Sequence, residues 1–178
     1  AKEVFGSAVT VMQYPMEQGE GFHRIIDLLK MRMYVFKDEG GKPEKQPIPE
    51  NEKERAEALH KELVEKAAEN DEELMEKYFE HGTLNEDDMR IGLRKGMMAR
   101  TCFPVFCLSA LRNMGSGRLM GFIDNVAPCS IDMPPARLAD GGIIERKADG
   151  PTVLFAFKTV IEPRAGHITL FKVMSGEL

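Results

Sequence analysis

The residues able to do covalent or metal chemistry are few and scattered. Three cysteines, Cys102, Cys107 and Cys129, and four histidines are spread through 178 residues. The C-x4-C spacing of the first two is not that of a zinc knuckle and no C-x2-C pair accompanies it, so no metal site is expected. Cys102 and Cys107 flank an apolar run, where free thiols serve as small hydrophobes, and the odd count fits a reducing compartment. Ser109 sits in nothing like a nucleophile elbow, and a cysteine–histidine enzyme has no spacing to support it. No catalytic residue is expected.

Nucleotide chemistry is written only at its edge. There is no G-x-x-x-x-G-K-[ST] phosphate loop and no Asn-Lys-x-Asp for reading guanine. Asp38 to Gly41 spells D-x-x-G, but two letters in a turn carry little information. The stretch 103–128, FPVFCLSALRNMGSGRLMGFIDNVAP, is different. It reads as a strand, a Ser109-Ala110-Leu111 step, a turn marked by Gly115-Ser116-Gly117 and a helix, the order in which many nucleotide-binding α/β domains end.

The elements that must position this step are legible from periodicity. Residues 8–36 have strand-like apolar runs broken by a turn at 18–21, which predicts a hairpin or meander. From Glu50, the positions Ala56, Leu59, Leu63 and Ala67 recur at three- and four-residue steps and put one helix face inward. A second helix is expected to start with Asn70 as cap, bury Leu74, Met75, Tyr78 and Phe79, and stop at Gly82. A third runs from about Asn85 with Met89 and Leu93 inward. The proline- and glycine-rich 129–150 reads as a linker, and the two strand patterns after it flank a turn at 164–166.

Charge is segregated. Between Glu50 and Arg90 stand fifteen acidic and six basic residues, about −9, against −5 for the whole chain, which leaves about +4 elsewhere. The two readings of the acidic helices are a solvated face laced by i,i+4 pairs and a recognition face for a basic partner. With net −5, no tryptophan and no basic-aromatic cluster, the chain lacks the footprint of a nucleic-acid binder. No run approaches the roughly 18 apolar residues of a membrane span. A soluble, cytoplasmic protein with no membrane partner is expected.

Four ordered blocks resemble elongation factor G, the translocation GTPase of the bacterial ribosome. PMEQGEGFHRIIDLLKMRMYVF resembles the family's P-x-G-x-x-x-x-F-x-G-V-I-D-L-V-x-M-K-A. LVEKAAENDEELMEKYFEHGTLNEDDMRIGLRKG resembles its L-V-E-x-A-A-E-x-D-E-x-L-M-E-K-Y-L-E-G run. PVFCLSALRNMGSGRLMGFIDNVAP resembles P-V-x-C-G-S-A-x-x-N-x-G-V-x-x-L-L-D-A-V. FAFKTVIEPRAGHITLFKVMSGEL resembles the opening of the family's second domain. Departures stand at Glu17 and Arg24, each in place of a usual glycine, at Arg32-Met33 and at Leu108. They leave open the main translocase or a divergent paralogue.

The resemblance implies an α+β chain cut from the interior of a longer one. Residues 1–98 would be an insertion subdomain of a P-loop GTPase domain, a small antiparallel sheet with helices. Residues 99–128 would be the last strand and helix of that GTPase domain, 129–150 a linker, and 151–178 the first hairpin of a β-barrel domain. Ser109, Ala110 and Leu111 would be the guanine-side signature, with the Ala110 amide facing a ring carbonyl. GTP and magnesium would belong to the parent, and the fragment would hold neither. Glu65, Glu69 and Glu72 match acidic positions that, in the family, face the C-terminal domain of the ribosomal stalk protein. Contact with ribosomal RNA would come only through the rest of the parent. An unbroken helix through Asn70 puts the three glutamates on one side, and a cap there breaks it. A stand-alone adaptor module without GTPase activity is the alternative.

Overall fold

Two consecutive apolar residues in each of two neighbouring strands give a sheet two buried faces. Ile25-Ile26 and Met33-Tyr34 do this in the computed structural model, which describes residues 2–19, 21–37 and 41–178. Strands β2 (Gln13–Pro15), β3 (Arg24–Asp27), β4 (Arg32–Val35) and β5 (Glu44–Gln46) form an antiparallel meander in that order. The register sets Ile25 opposite Tyr34 and Ile26 opposite Met33. Ile26 and Met33 join the main core, while Ile25, Tyr34 and Phe36 enclose Met114 in a second, smaller one. Of the sequence motifs, Asp38 to Gly40 of the D-x-x-G match and Glu20 of the 18–21 turn lie outside the described residues.

The helices cover the meander's first face. Helix α2 (Glu50–Ala68) buries Ala56, Leu63, Val64, Ala67 and Ala68, with Leu59 packed at the margin. Helix α3 (Glu72–His81) buries Leu74, and α4 (Glu86–Ala99) buries Met89 and Leu93. Each fully buried leucine contributes about 1.5–3 kcal/mol relative to exposure. A four-residue helix α1 (Lys2–Phe5) precedes them in sequence.

Three details differ from the periodicity reading. The α3 cap is Asp71, whose Oδ1 accepts from the Leu74 amide at 3.1 Å, not Asn70. Asn70 instead donates from its Nδ2 to the Lys66 carbonyl at 2.6 Å and accepts from the Thr101 hydroxyl at 2.6 Å, tying the end of α2 to the connection that follows α4. Phe79, expected inside, is 78% exposed, because it falls beyond the arc that Leu74, Met75 and Tyr78 share. The third concerns β1 (Val9–Val11), which joins no hairpin. It pairs in parallel with β6 (Phe103–Val105), Val9 opposite Phe103 and Val11 opposite Val105. Parallel partners need a long crossover, and here the meander and three helices supply it. After β6 comes helix α5 (Ser116–Asn125).

Contacts divide the chain into Ala1–Ala127 and Pro128–Leu178. In the second unit, the stretch read as a linker holds a short hairpin, β7 (Ala136–Arg137) against β8 (Ile143–Ile144), closed by the Leu138 amide on the Gly142 carbonyl at 2.8 Å. Strands β9 (Val153–Glu162) and β10 (Gly166–Ser175) form the long antiparallel hairpin that the strand patterns predicted, with register shifts after Leu170 and Val173.

Candidate functional site

The Ser109-Ala110-Leu111 step is a tight turn at the end of β6. The Ser109 amide donates to the Met114 carbonyl at 3.0 Å, the Met114 amide returns the bond at 2.9 Å, and the Asn113 amide donates to the Ala110 carbonyl at 3.2 Å. Asn113 takes a left-handed φ of 48°, which asparagine tolerates better than most residues. Ala110 is exposed and Leu111 is 98% exposed, so this turn is a surface feature held from below by the fully buried Met114. Gly115 follows at φ 76°, and a Cβ there would meet the Cys107 carbonyl oxygen at 2.7 Å. A cavity of about 650 Å³ opens beside the turn, with Tyr34 and Phe36 on one side, Lys42 and Lys45 on another, and Asn113, Ser116 and Arg118 on the turn's side.

A buried carboxylate stands behind the turn. Asp27 is 2% exposed, and its Oδ2 accepts from Arg118 Nε and Nη2 at 3.0 and 2.8 Å and from Gln13 Nε2 at 2.8 Å. Its Oδ1 accepts from the Lys30 amide at 2.9 Å, fixing the β3–β4 turn. Only the carboxylate end of the pair is withdrawn from water, since Arg118 is 29% exposed. The sequence reading missed Asp27 and Arg118, and no signal in a single sequence links two residues 91 positions apart.

The acidic positions are brought together only in part. Glu65 and Glu69 lie one turn apart at the end of α2, and with Glu62 they line a groove of about 350 Å³ floored by Leu59, Leu63, Val9 and Val11. The same three- and four-residue steps that relate Glu65 to its neighbours would have found Glu62. Glu72 opens α3 beyond the helix break, exposed and outside that groove's lining. Glu65 also accepts from the Tyr78 hydroxyl at 2.7 Å, which raises the tyrosine pKa. Lys66 reaches Glu69 at 2.9 Å, and Lys77 reaches Glu73 at 3.2 Å, so the helices are laced by short-range pairs as well.

The remaining candidates recede. Cys102 is buried and Cys107 half-buried, and burial pushes both thiols up, away from reactive thiolate. Cys129 is exposed and free. Among the described residues no group of three or more histidine, cysteine or acidic side chains could hold a metal ion. No helix among them is long and apolar enough to cross a membrane. The two departures from the family pattern at positions 17 and 24 meet each other: the Arg24 guanidinium pairs with the Glu17 carboxylate. Burial alone would raise that glutamate, and the arginine more than reverses it.

No protein-family model matches the chain. It is 35% identical over 173 residues, 94% of its length, to the elongation factor G of Thermotoga petrophila, and equally so to that of Thermotoga maritima. The chain spans about a quarter of the length of these relatives, 25% in each. A crystal structure of a protein from Thermus thermophilus superposes with a TM-score of 0.74 at 21% identity, over 98% of this chain and 24% of that one, which shows a shared fold. The resemblance to elongation factor G carried by the four sequence blocks therefore holds over nearly the whole chain: it corresponds to a segment of that factor, in a mixed α and β fold of small sheets and helices.

Proposed function

We propose that this chain works as a segment of a ribosomal translocation GTPase, contributing one edge of the guanine pocket and an acidic docking face for the stalk protein. The similarity to elongation factor G over 94% of the chain carries the reading. In it, residues 1–98 belong to the insertion subdomain, 99–128 to the end of the GTPase domain, 129–150 to the connection and 151–178 to the next, β-barrel domain. The parallel pairing of β1 with β6 supports giving residues 9–11 to the GTPase sheet as well.

At the guanine edge, the Ala110 amide donates to a ring carbonyl of the base. A backbone contact of this kind is indifferent to the side chains of Ser109 and Leu111, and an exposed turn with a fixed geometry suits it. The residues present fit the base edge alone: the chain holds no phosphate-loop pattern, and no magnesium cluster occurs among the described residues. In this reading GTP and magnesium would be bound in the longer protein, where the γ-phosphoryl group would pass to water. This chain by itself is expected to show no hydrolysis and no calorimetric heat with GTP, and micromolar affinity would overturn that. When the chain is joined to a phosphate-binding half, Ala110→Pro removes the donor and is expected to lower the preference for guanine by about tenfold.

At the docking face, Glu65 and Glu69 present carboxylates beside an apolar groove, and Glu72 extends the negative surface onto α3. Charge reversal of all three is expected to weaken binding of the stalk protein's C-terminal domain by about tenfold or more at low salt, with the difference shrinking as salt rises. Unchanged titrations would dispose of the contact.

A further inference from the structure

The turn that carries Ser109, Ala110 and Leu111 leaves β6, yet its buried contacts belong to another sheet. Met114, fully buried, packs with Ile25, Tyr34 and Phe36 on the meander's second face. Four residues later, in the first turn of α5, Arg118 reaches the same meander. Its guanidinium donates twice to the buried Asp27 carboxylate, at 3.0 and 2.8 Å, and lies 5.2 Å from the centre of the Tyr34 ring. Arg112 adds a longer contact from its Nη1 to the Phe22 carbonyl, at 3.5 Å, just before β3. The turn is thus flanked on its C-terminal side by an apolar plug and an ion pair, both seated on β3 and β4.

We infer that Met114 and Arg118 are positioning residues for the guanine-edge turn: they fix its orientation on the outer face of the β2–β5 meander, so that the meander, and not β6 alone, sets where the Ala110 amide points. The inference rests on the reading of this turn given above. Asp27 is the common anchor. Its Oδ1 holds the β3–β4 turn through the Lys30 amide and its Oδ2 holds α5, so a displacement of the meander is transmitted to the turn through one carboxylate. A charge-assisted, bidentate contact suits this role because it fixes direction as well as distance.

The test is amide hydrogen exchange on this chain, without nucleotide. The Ser109 and Met114 amides report directly, since each is bonded to the other's carbonyl. Arg118 is 29% exposed, so Arg118→Met is expected to fold. It should speed exchange at Ser109 and Met114 by about tenfold or more, with amides of α2 and of the β1–β6 pair unchanged, and Arg118→Lys should restore part of the protection. Asp27→Asn, which keeps the shape and removes the charge, should give the same local pattern. Unchanged exchange at the two reporters in Arg118→Met overturns the inference. An even rise across Ala1–Ala127 also overturns it, because the pair would then stabilise the unit generally and not position the turn. With no nucleotide present, such a failure leaves the guanine-edge reading standing, and that reading fails separately if Ala110→Pro has no effect on base preference.

Discussion

Glu86 shows how a single carboxylate here is governed by its neighbours. Burial pushes its pKa up, but the Lys30 ammonium bonded to it and the nearby Arg90 and Arg118 guanidinium groups outweigh that and hold it below the ordinary value of 4.5. A depressed folded pKa means stability that is present above the ordinary value and lost as pH falls through the folded one. At 32% exposure the contribution is screened, so its slope is more informative than its size. The urea midpoint of the wild type is expected to fall between about pH 5 and about pH 3, and Glu86→Gln should flatten that acid limb. Glu17 and Asp71 are lowered too, so the wild-type fall will exceed the difference between the two curves. Parallel curves would show that the three cations do not act on Glu86 as described.

Between elements, the decisive contact is the crossing of α2 and α4. A Cβ placed on Gly92 would lie 2.2 Å from the Ala67 carbonyl oxygen, a backbone atom that cannot rotate away. Gly92→Ala would gain about 1 kcal/mol of helix propensity, but overpacking costs about 1–3 kcal/mol and more where the backbone itself must move. Gly121, inside α5, meets nothing within 4 Å. The two substitutions are therefore expected to move the urea midpoint in opposite directions, Gly92→Ala down and Gly121→Ala up, and a gain from both would mean that α4 lies farther from α2. No periodicity announces that Gly92 is a crossing point, because a helical glycine reads the same whether it touches a carbonyl or water. What the pattern did carry was the inward face of each helix, since Leu63, Leu74 and Leu93 need only a 3.6-residue period to be placed. It failed where the answer depended on distant partners. Asn70 and Asp71 are equally good caps by type, and the bond from Thr101 is what commits Asn70 elsewhere. In the same way a β-branched triplet such as Val9–Val11 pairs as readily with a neighbour as with β6. The Ser109 step was legible as a turn, whereas its seating on the meander was not.

For the molecule as a whole, each unit must be judged by what it buries. In Ala1–Ala127 the meander is covered on both faces, by helices on one and by Met114 on the other. In Pro128–Leu178 the β9–β10 hairpin has ten residues in each strand and yet leaves Phe155 57%, Phe157 58% and Ile161 73% exposed. Cross-strand contacts such as Thr159 opposite Thr169 add only tenths of a kcal/mol to about 1 kcal/mol each. A two-stranded ribbon of this kind is marginal in water whatever its length. Its base is the better-held end, where the Gly176 amide donates to the Lys147 carbonyl at 2.8 Å and the Thr152 hydroxyl to the Glu177 carbonyl at 2.8 Å. Amides at the far end, around 159–169, are therefore expected to exchange about a hundredfold faster than those of β3 and β4, with protection rising toward the base. Equal protection along the ribbon and the meander would mean that something other than its own two strands stabilises the hairpin. Substituting Phe155 and Phe157 with threonine would then tell which: a loss of protection at 159–169 would assign the stability to the apolar face, and no change would assign it to the backbone ladder.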